Sequence, residues 1–327
     1  MKKSLLALAV LSAFAGAASA QSSVTLSGRV DAGLIRSGGA WTMGGSQSGY
    51  NALTFSGRED LGGGMNAFFT LNHRFNINTG TTNPGGNAAV IDQFYRNAFV
   101  GLGGGFGDVR LGRILMPLQD MNGGYDPFDT GYVASTHTGG INATVRANNA
   151  IYYRTPSLGG LFVHAAIAGA DQQVASVPAG SPAGTRPTLL TGAGERPIGF
   201  GVGYGAGPFR VGLAYDKNGA DLKTVGLYGG FNAGFANFMA QYEKGDISTV
   251  TDVARWSVGA KVPLGAVTFK AGFTKWSDEN IKKLGVGAQY DLSKRTNLYT
   301  NVGKLSGTGV STTAKKATFD LGVTHAF

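Results

Sequence analysis

The chain of 327 residues has no cysteine at all. A protein of this size without disulfides needs another device to hold itself together, above all if it is exported. Proline is scarce, at 10 residues. Histidine is scarcer still: His73, His137, His164 and His325 are scattered, with no Ser or Asp at a suggestive spacing. That pattern does not support a nucleophile with its base, and no metal-ligand cluster is visible. After residue 20 no apolar run reaches about 18 residues, so a membrane-spanning helix is not expected. The Gly-rich runs do not sit between a strand and a helix, which sets aside a phosphate-binding loop.

The first twenty residues read as an export leader. Lys2 and Lys3 make a basic start, Leu5 to Leu11 an apolar stretch, and Ala18-Ser19-Ala20 a small-residue cleavage site. The mature chain is expected to span 21–327 as one domain. Loss of the two lysines lowers the formal net charge from +9 to +7. The basic residues alternate along the chain and form no helix face or arm, so a nucleic-acid partner is not expected.

Glycine is the residue in excess, at 54, without the Gly-X-Y period of collagen. With 19 Phe, 12 Tyr and 43% hydrophobic residues, disorder is excluded as well. Glycine among alternating residues suits curved, closely approaching strands and tight turns.

Two-residue periodicity runs almost throughout. Val24, Leu26, Gly28, Val30, Ala32 and Leu34 alternate with Thr25, Ser27, Arg29, Asp31 and Gly33. Comparable segments lie near 52–58, 66–74, 94–102, 106–112, 148–155, 161–168, 197–205, 209–216, 222–231, 235–244, 253–262, 266–275, 281–290, 296–305 and 317–327. Short turns such as Gly103-Gly104-Gly105 and Ala206-Gly207-Pro208 alternate with long polar connections at 36–49, 76–92, 113–147, 169–196, 245–252 and 306–316. Sixteen strands of about 10 residues, with eight short turns and eight longer loops, fill the mature length. The expected fold is all-β: a 16-stranded antiparallel transmembrane barrel, apolar toward lipid and wet within.

Alternation also assigns facings. Arg146 and Arg154 share parity with Asn148, Ala150 and Tyr152, and Arg58 shares a face with Thr54 and Ser56. An arginine facing lipid at mid-depth costs about 2–4 kcal/mol, so all three are placed in the lumen. Arg29, Arg74 and Arg110 are further lumen candidates. Arg113 shares parity with Val109 and Leu111, which would point it outward, so its facing depends on where that strand breaks. No cofactor or metal is expected.

In order along the chain come Ser23 to Leu34, the turn Glu59 to Gly64, Val100 to Arg113 (VGLGGGFGDVRLGR), Arg146-Ala147-Asn148-Asn149, Asp291 to Tyr299 (DLSKRTNLY) and a final His325-Ala326-Phe327. Together these resemble the trimeric general porins of Gram-negative outer membranes, especially the beta-proteobacterial, anion-selective branch. The resemblance implies a homotrimer in outer-membrane lipid and lipopolysaccharide. It implies that Phe327 is the signal read by the barrel-assembly machinery. It makes the stretch from Arg113 to Arg146 an inward-folded constriction loop carrying Asp120, Asp126 and Asp129. Arg96 and Arg146 match two of three arginines in the constriction cluster of anion-selective members, and the third position is Ala52, a departure. Arg113 is similar to a pore-lining arginine elsewhere in the family. The implied activity is passive diffusion of small hydrophilic solutes and ions, with anions preferred. A substrate-specific outer-membrane channel with a solute-binding site is the alternative reading. A barrel enzyme would need a catalytic cluster that the sequence does not offer.

Overall fold

The computed structural model describes residues 23–45, 51–82, 95–131, 133–136, 141, 146–169, 174–176, 188–190, 194–247, 250–277, 280–308 and 310–327. The expected leader, residues 1–20, and His137 lie outside them.

Nineteen strands are seen among the described residues. The first six are β1 (Ser23–Ser37), β2 (Ala40–Gly44), β3 (Asn51–Gly62), β4 (Met65–Phe75), β5 (Tyr95–Gly104) and β6 (Gly107–Leu115). A short helix, α1 (Pro117–Asn122), follows. Next are β7 (Arg146–Arg154), β8 (Leu161–Ile167), β9 (Val174–Ser176), β10 (Thr188–Leu190), β11 (Ile198–Ala206), β12 (Phe209–Lys217) and β13 (Lys223–Asn232). The chain ends with β14 (Asn237–Ile247), β15 (Val250–Leu264), β16 (Val267–Trp276), β17 (Lys282–Asp291), β18 (Thr296–Ser306) and β19 (Thr318–Ala326).

Sixteen staves close a barrel, each antiparallel to its neighbours. Strands β9 and β10 pair only with each other. Strands β2 and β3 pair with the upper and lower parts of the same edge of β1 and together count as one stave. The opposite edge of β1 pairs with β19, from Arg29 opposite Ala326 to Arg36 opposite Phe319. Phe327 completes that seam: its N–H donates to the Gly28 carbonyl (3.0 Å), and the Gly28 N–H donates to the Phe327 carbonyl (2.9 Å). The Phe327 ring lies where a Gly28 side chain would be, so only glycine admits it. Closure matters because an open edge in a membrane leaves unpaired N–H and C=O groups at several kcal/mol each.

Two expected loops are shorter than the sequence suggested. The connection at 36–49 contains β2, because the Gly38-Gly39 pair turns the chain straight back on β1 with φ of 62° and 101°. The connection at 245–252 is nearly all strand, since β14 runs to Ile247 and β15 starts at Val250.

The two faces of the wall differ sharply. Large apolar side chains stand exposed on one face, among them Val24 (73%), Leu227 (57%), Leu284 (54%) and Leu321 (53%). In water a patch of this extent would be untenable; against hydrocarbon it is the stable arrangement. Aromatics such as Phe106, Tyr204, Phe209, Phe235 and Phe238 gather near the short turns, as interfacial girdles do. The opposite face carries polar, charged and glycine residues.

Candidate functional site

Residues 116–131, 133–136 and 141, between β6 and β7, lie on that opposite, inner face. Pro117 opens α1 where no backbone N–H is needed, and Leu118, Met121, Tyr125, Ala214 and Tyr228 form an apolar cluster beneath it. The Leu118 N–H donates to Asp216 (3.2 Å), and the Asn122 amide donates to Glu243 (3.1 Å). Glu243 also accepts from the Tyr228 hydroxyl (3.1 Å) and the Arg255 guanidinium (2.5 Å). A buried ion pair is sustainable only when its remaining lone pairs are satisfied in this way. The Tyr125 ring stacks on Tyr228 at 5.3 Å, and the Arg210 guanidinium lies 4.8 Å from the centre of the Tyr125 ring. Further along, the Thr274 hydroxyl donates to the Thr136 carbonyl (2.8 Å).

Glycine makes this seating possible. A side chain at Gly285 or Gly303 would collide with the backbone of Ala134 or Val133, and one at Gly259 with the Pro127 ring. Part of the glycine excess thus clears a bed for the inserted segment on β15, β17 and β18.

The three acidic residues of the segment have different surroundings. Asp126 is buried and accepts five hydrogen bonds from within the segment: from the N–H groups of Phe128, Thr130 and Thr136 and the hydroxyls of Ser135 and Thr136. Those bonds hold a turn in which Asp129 and Thr130 take left-handed backbone angles, φ 51° and 62°. Asp129 pairs with Lys261 (2.6 Å) and Lys270 (3.5 Å) on β15 and β16. Asp120 approaches the Tyr152 hydroxyl (3.4 Å) and His164 (3.5 Å). Burial pushes the Asp120 carboxyl up, but the His164 hydrogen bond and the charges of His164, Arg154 and Arg110 outweigh it and hold the group below the usual carboxylate range.

On the wall from β1 to β7 the cations form two groups. Arg29 lies opposite Ala52, and Ala52 opposite Arg74, so two arginines flank that alanine on its neighbouring strands. Next in the row, Arg146 donates to the Asn97 side-chain oxygen (2.6 Å), Arg113 donates to Asn148, and Arg96 stands within electrostatic reach of Arg113. All five are half-buried. The second group lies toward the short turns. Arg58, Arg110 and Arg154 lie over the rings of Phe68, Tyr152 and Phe162, at 5.3, 4.8 and 4.2 Å.

The profile of the Gram-negative porin family matches residues 7–309. The chain belongs to that family. As a porin it is a multi-pass β-barrel of the outer membrane and a passive channel. It is 32% identical to outer membrane porin protein 32 of Delftia acidovorans, over 97% of this chain and 93% of that protein. It is 28% identical to an outer membrane porin protein of Bordetella pertussis over the full length of both. The solved anion-selective porin from Comamonas acidovorans superposes with a TM-score of 0.74 at 28% identity, covering 94% of this chain and 100% of that one.

In this porin the sequence-expected site residues do not form one cluster. Arg96, Arg113 and Arg146 come together. Arg58 and Arg154 share the lower cavity with Arg110. Asp126, expected among the constriction-loop acids, is buried and accepts five hydrogen bonds from within the segment, and its charge also reaches Lys270 and Lys283 on the wall. Arg113 escapes strict alternation through a register break between Gly112 and Ile114, opposite the left-handed Asn149. Sequence reasoning missed Lys261 and Lys270, which pair with Asp129, and Lys283, which is buried on β17 within reach of the Asp126 charge. Their parity with Gly259, Gly272 and Gly285 was the available signal.

Proposed function

We propose that this porin is an anion-preferring channel, narrowed by residues 116–131 and 133–136 and lined at that level by Arg29, Arg74, Arg96, Arg113 and Arg146. The carrying observation is the imbalance of charge. Five arginines occupy one stretch of wall, while Asp126 is internally bonded and Asp129 is matched by two lysines. Fixed charge in a narrow passage selects the ions that enter it. Ala52 is then no loss of basic character, since Arg29 and Arg74 flank it. The similarity to an anion-selective porin supports the sign. Residues 1–20 serve as the export leader, Phe327 as the assembly signal, and the barrel associates as a homotrimer among outer-membrane lipid and lipopolysaccharide. The zero-current potential across a potassium chloride gradient in a planar bilayer tests the sign. Chloride preference is the expected result, and potassium preference would refute it.

A further inference from the structure

Asp120 keeps its side chain 37% exposed to the channel, and Tyr152 on β7 and His164 on β8 lie buried behind it. We infer that His164 is a positioning residue for this charge: as the Nδ1–H tautomer it donates to the Tyr152 hydroxyl, which donates in turn to Asp120. Nδ1 stands 2.7 Å from the hydroxyl oxygen and 3.5 Å from Asp120 Oδ2, and the hydroxyl stands 3.4 Å from the same Oδ2. An ionised carboxylate only accepts, so the hydroxyl proton belongs to Asp120 and the hydroxyl lone pairs are left for a donor. The other ring nitrogen decides the tautomer. Nε2 is buried against Gly201 without a hydrogen-bond partner among the described residues. A proton there would be a buried N–H with no acceptor, whereas on Nδ1 it has one.

Packing holds the ring in this pose. Tyr152 and Phe162 meet the imidazole edge to face at 5.8 and 5.7 Å, and a side chain at Gly201 would collide with it. The other charges near Asp120 among the described residues are Arg110 and Arg154, from β6 and β7, with Asp108 paired to Arg110. Asp216, Arg210 and Glu243, the charged groups of β12 and β14 against the segment, meet Leu118, Tyr125 and Asn122 instead. A carboxylate that accepts from a fixed donor chain stays ionised to lower pH. The chain from His164 thereby sets how far Asp120 offsets Arg110 and Arg154.

The test is the acid limb of ion preference, read as zero-current potential against pH in planar bilayers. Asn places an amide N–H at the Nδ1 position, and Gln places one at the Nε2 position. His164→Asn is therefore expected to keep the midpoint of the parent. His164→Gln and Tyr152→Phe are expected to raise it toward the ordinary carboxylate value of about 3.9. A parent-like midpoint in both of these, or a raised one in His164→Asn, would overturn the inference. If the variants fail to fold, the nitrogen-15 spectrum of the histidine-labelled parent decides. His164 is expected with a protonated Nδ1 and a bare Nε2 at neutral pH, and the reverse would refute the assignment. Neither readout depends on which ion the channel prefers: in a potassium-preferring channel the same limb appears as a fall in cation preference.

Discussion

Single carboxylates of the inserted segment separate structural from electrostatic roles. Asp126 accepts five hydrogen bonds, several charge-assisted, each worth about 1.5–3 kcal/mol at most and not additive. Asp126→Ala is expected to loosen the segment and raise open-channel current noise, with little change in ion preference. A large shift in zero-current potential would show that Asp126 acts as a lumen charge after all. Asp120 is the reverse case. Because its folded value is depressed below the unfolded one of about 3.9, its charge and its hold on α1 are complete above about pH 4. Both are lost only as pH falls through the depressed value. Ion preference should therefore stay level from pH 7 to about 4 and turn further toward anions below that. Asp120→Asn should abolish the acid limb, and a limb that persists would assign it to another group.

Strands and their connections were the most legible elements. Alternation in Val24 to Leu34 or Phe319 to Phe327 places each side chain in lipid or lumen, because a one-residue slip would invert every facing. The same rule fails where the register breaks. Between Asn72 and His73, and between Gly112 and Ile114, pairing shifts, and the facings of Arg96 and Arg113 there depend on tertiary bulges that no local pattern encodes. The hairpin at Gly38-Gly39 could have been read from its glycine pair, but the polar residues around it favour a loop. The glycine bed could be counted in the sequence but not located, since what it accommodates is more than a hundred residues away. Its mechanical meaning is testable: Gly303→Leu should push residues 133–134 off the wall into the channel and lower single-channel conductance. Unchanged conductance in a folded variant would show that the bed has slack.

For the whole molecule, closure and charge placement are one problem. A sealed sheet gives every main-chain group a partner, puts the apolar face in lipid, and leaves its cations the lumen. The inserted segment spends Asp126 on its own fold and Asp129 on lysines of β15 and β16, so of its three acids only Asp120 offsets wall arginines, Arg110 and Arg154, and the row of Arg29, Arg74, Arg96, Arg113 and Arg146 keeps its charge. On that account Arg29 and Arg74 supply positive charge where Ala52 cannot. The most direct measurement is the zero-current potential of Arg29→Ala/Arg74→Ala beside the parent channel in the same salt gradient. Anion preference should fall several-fold toward parity. A double variant as anion-preferring as its parent would contradict the claim that this row sets the selectivity.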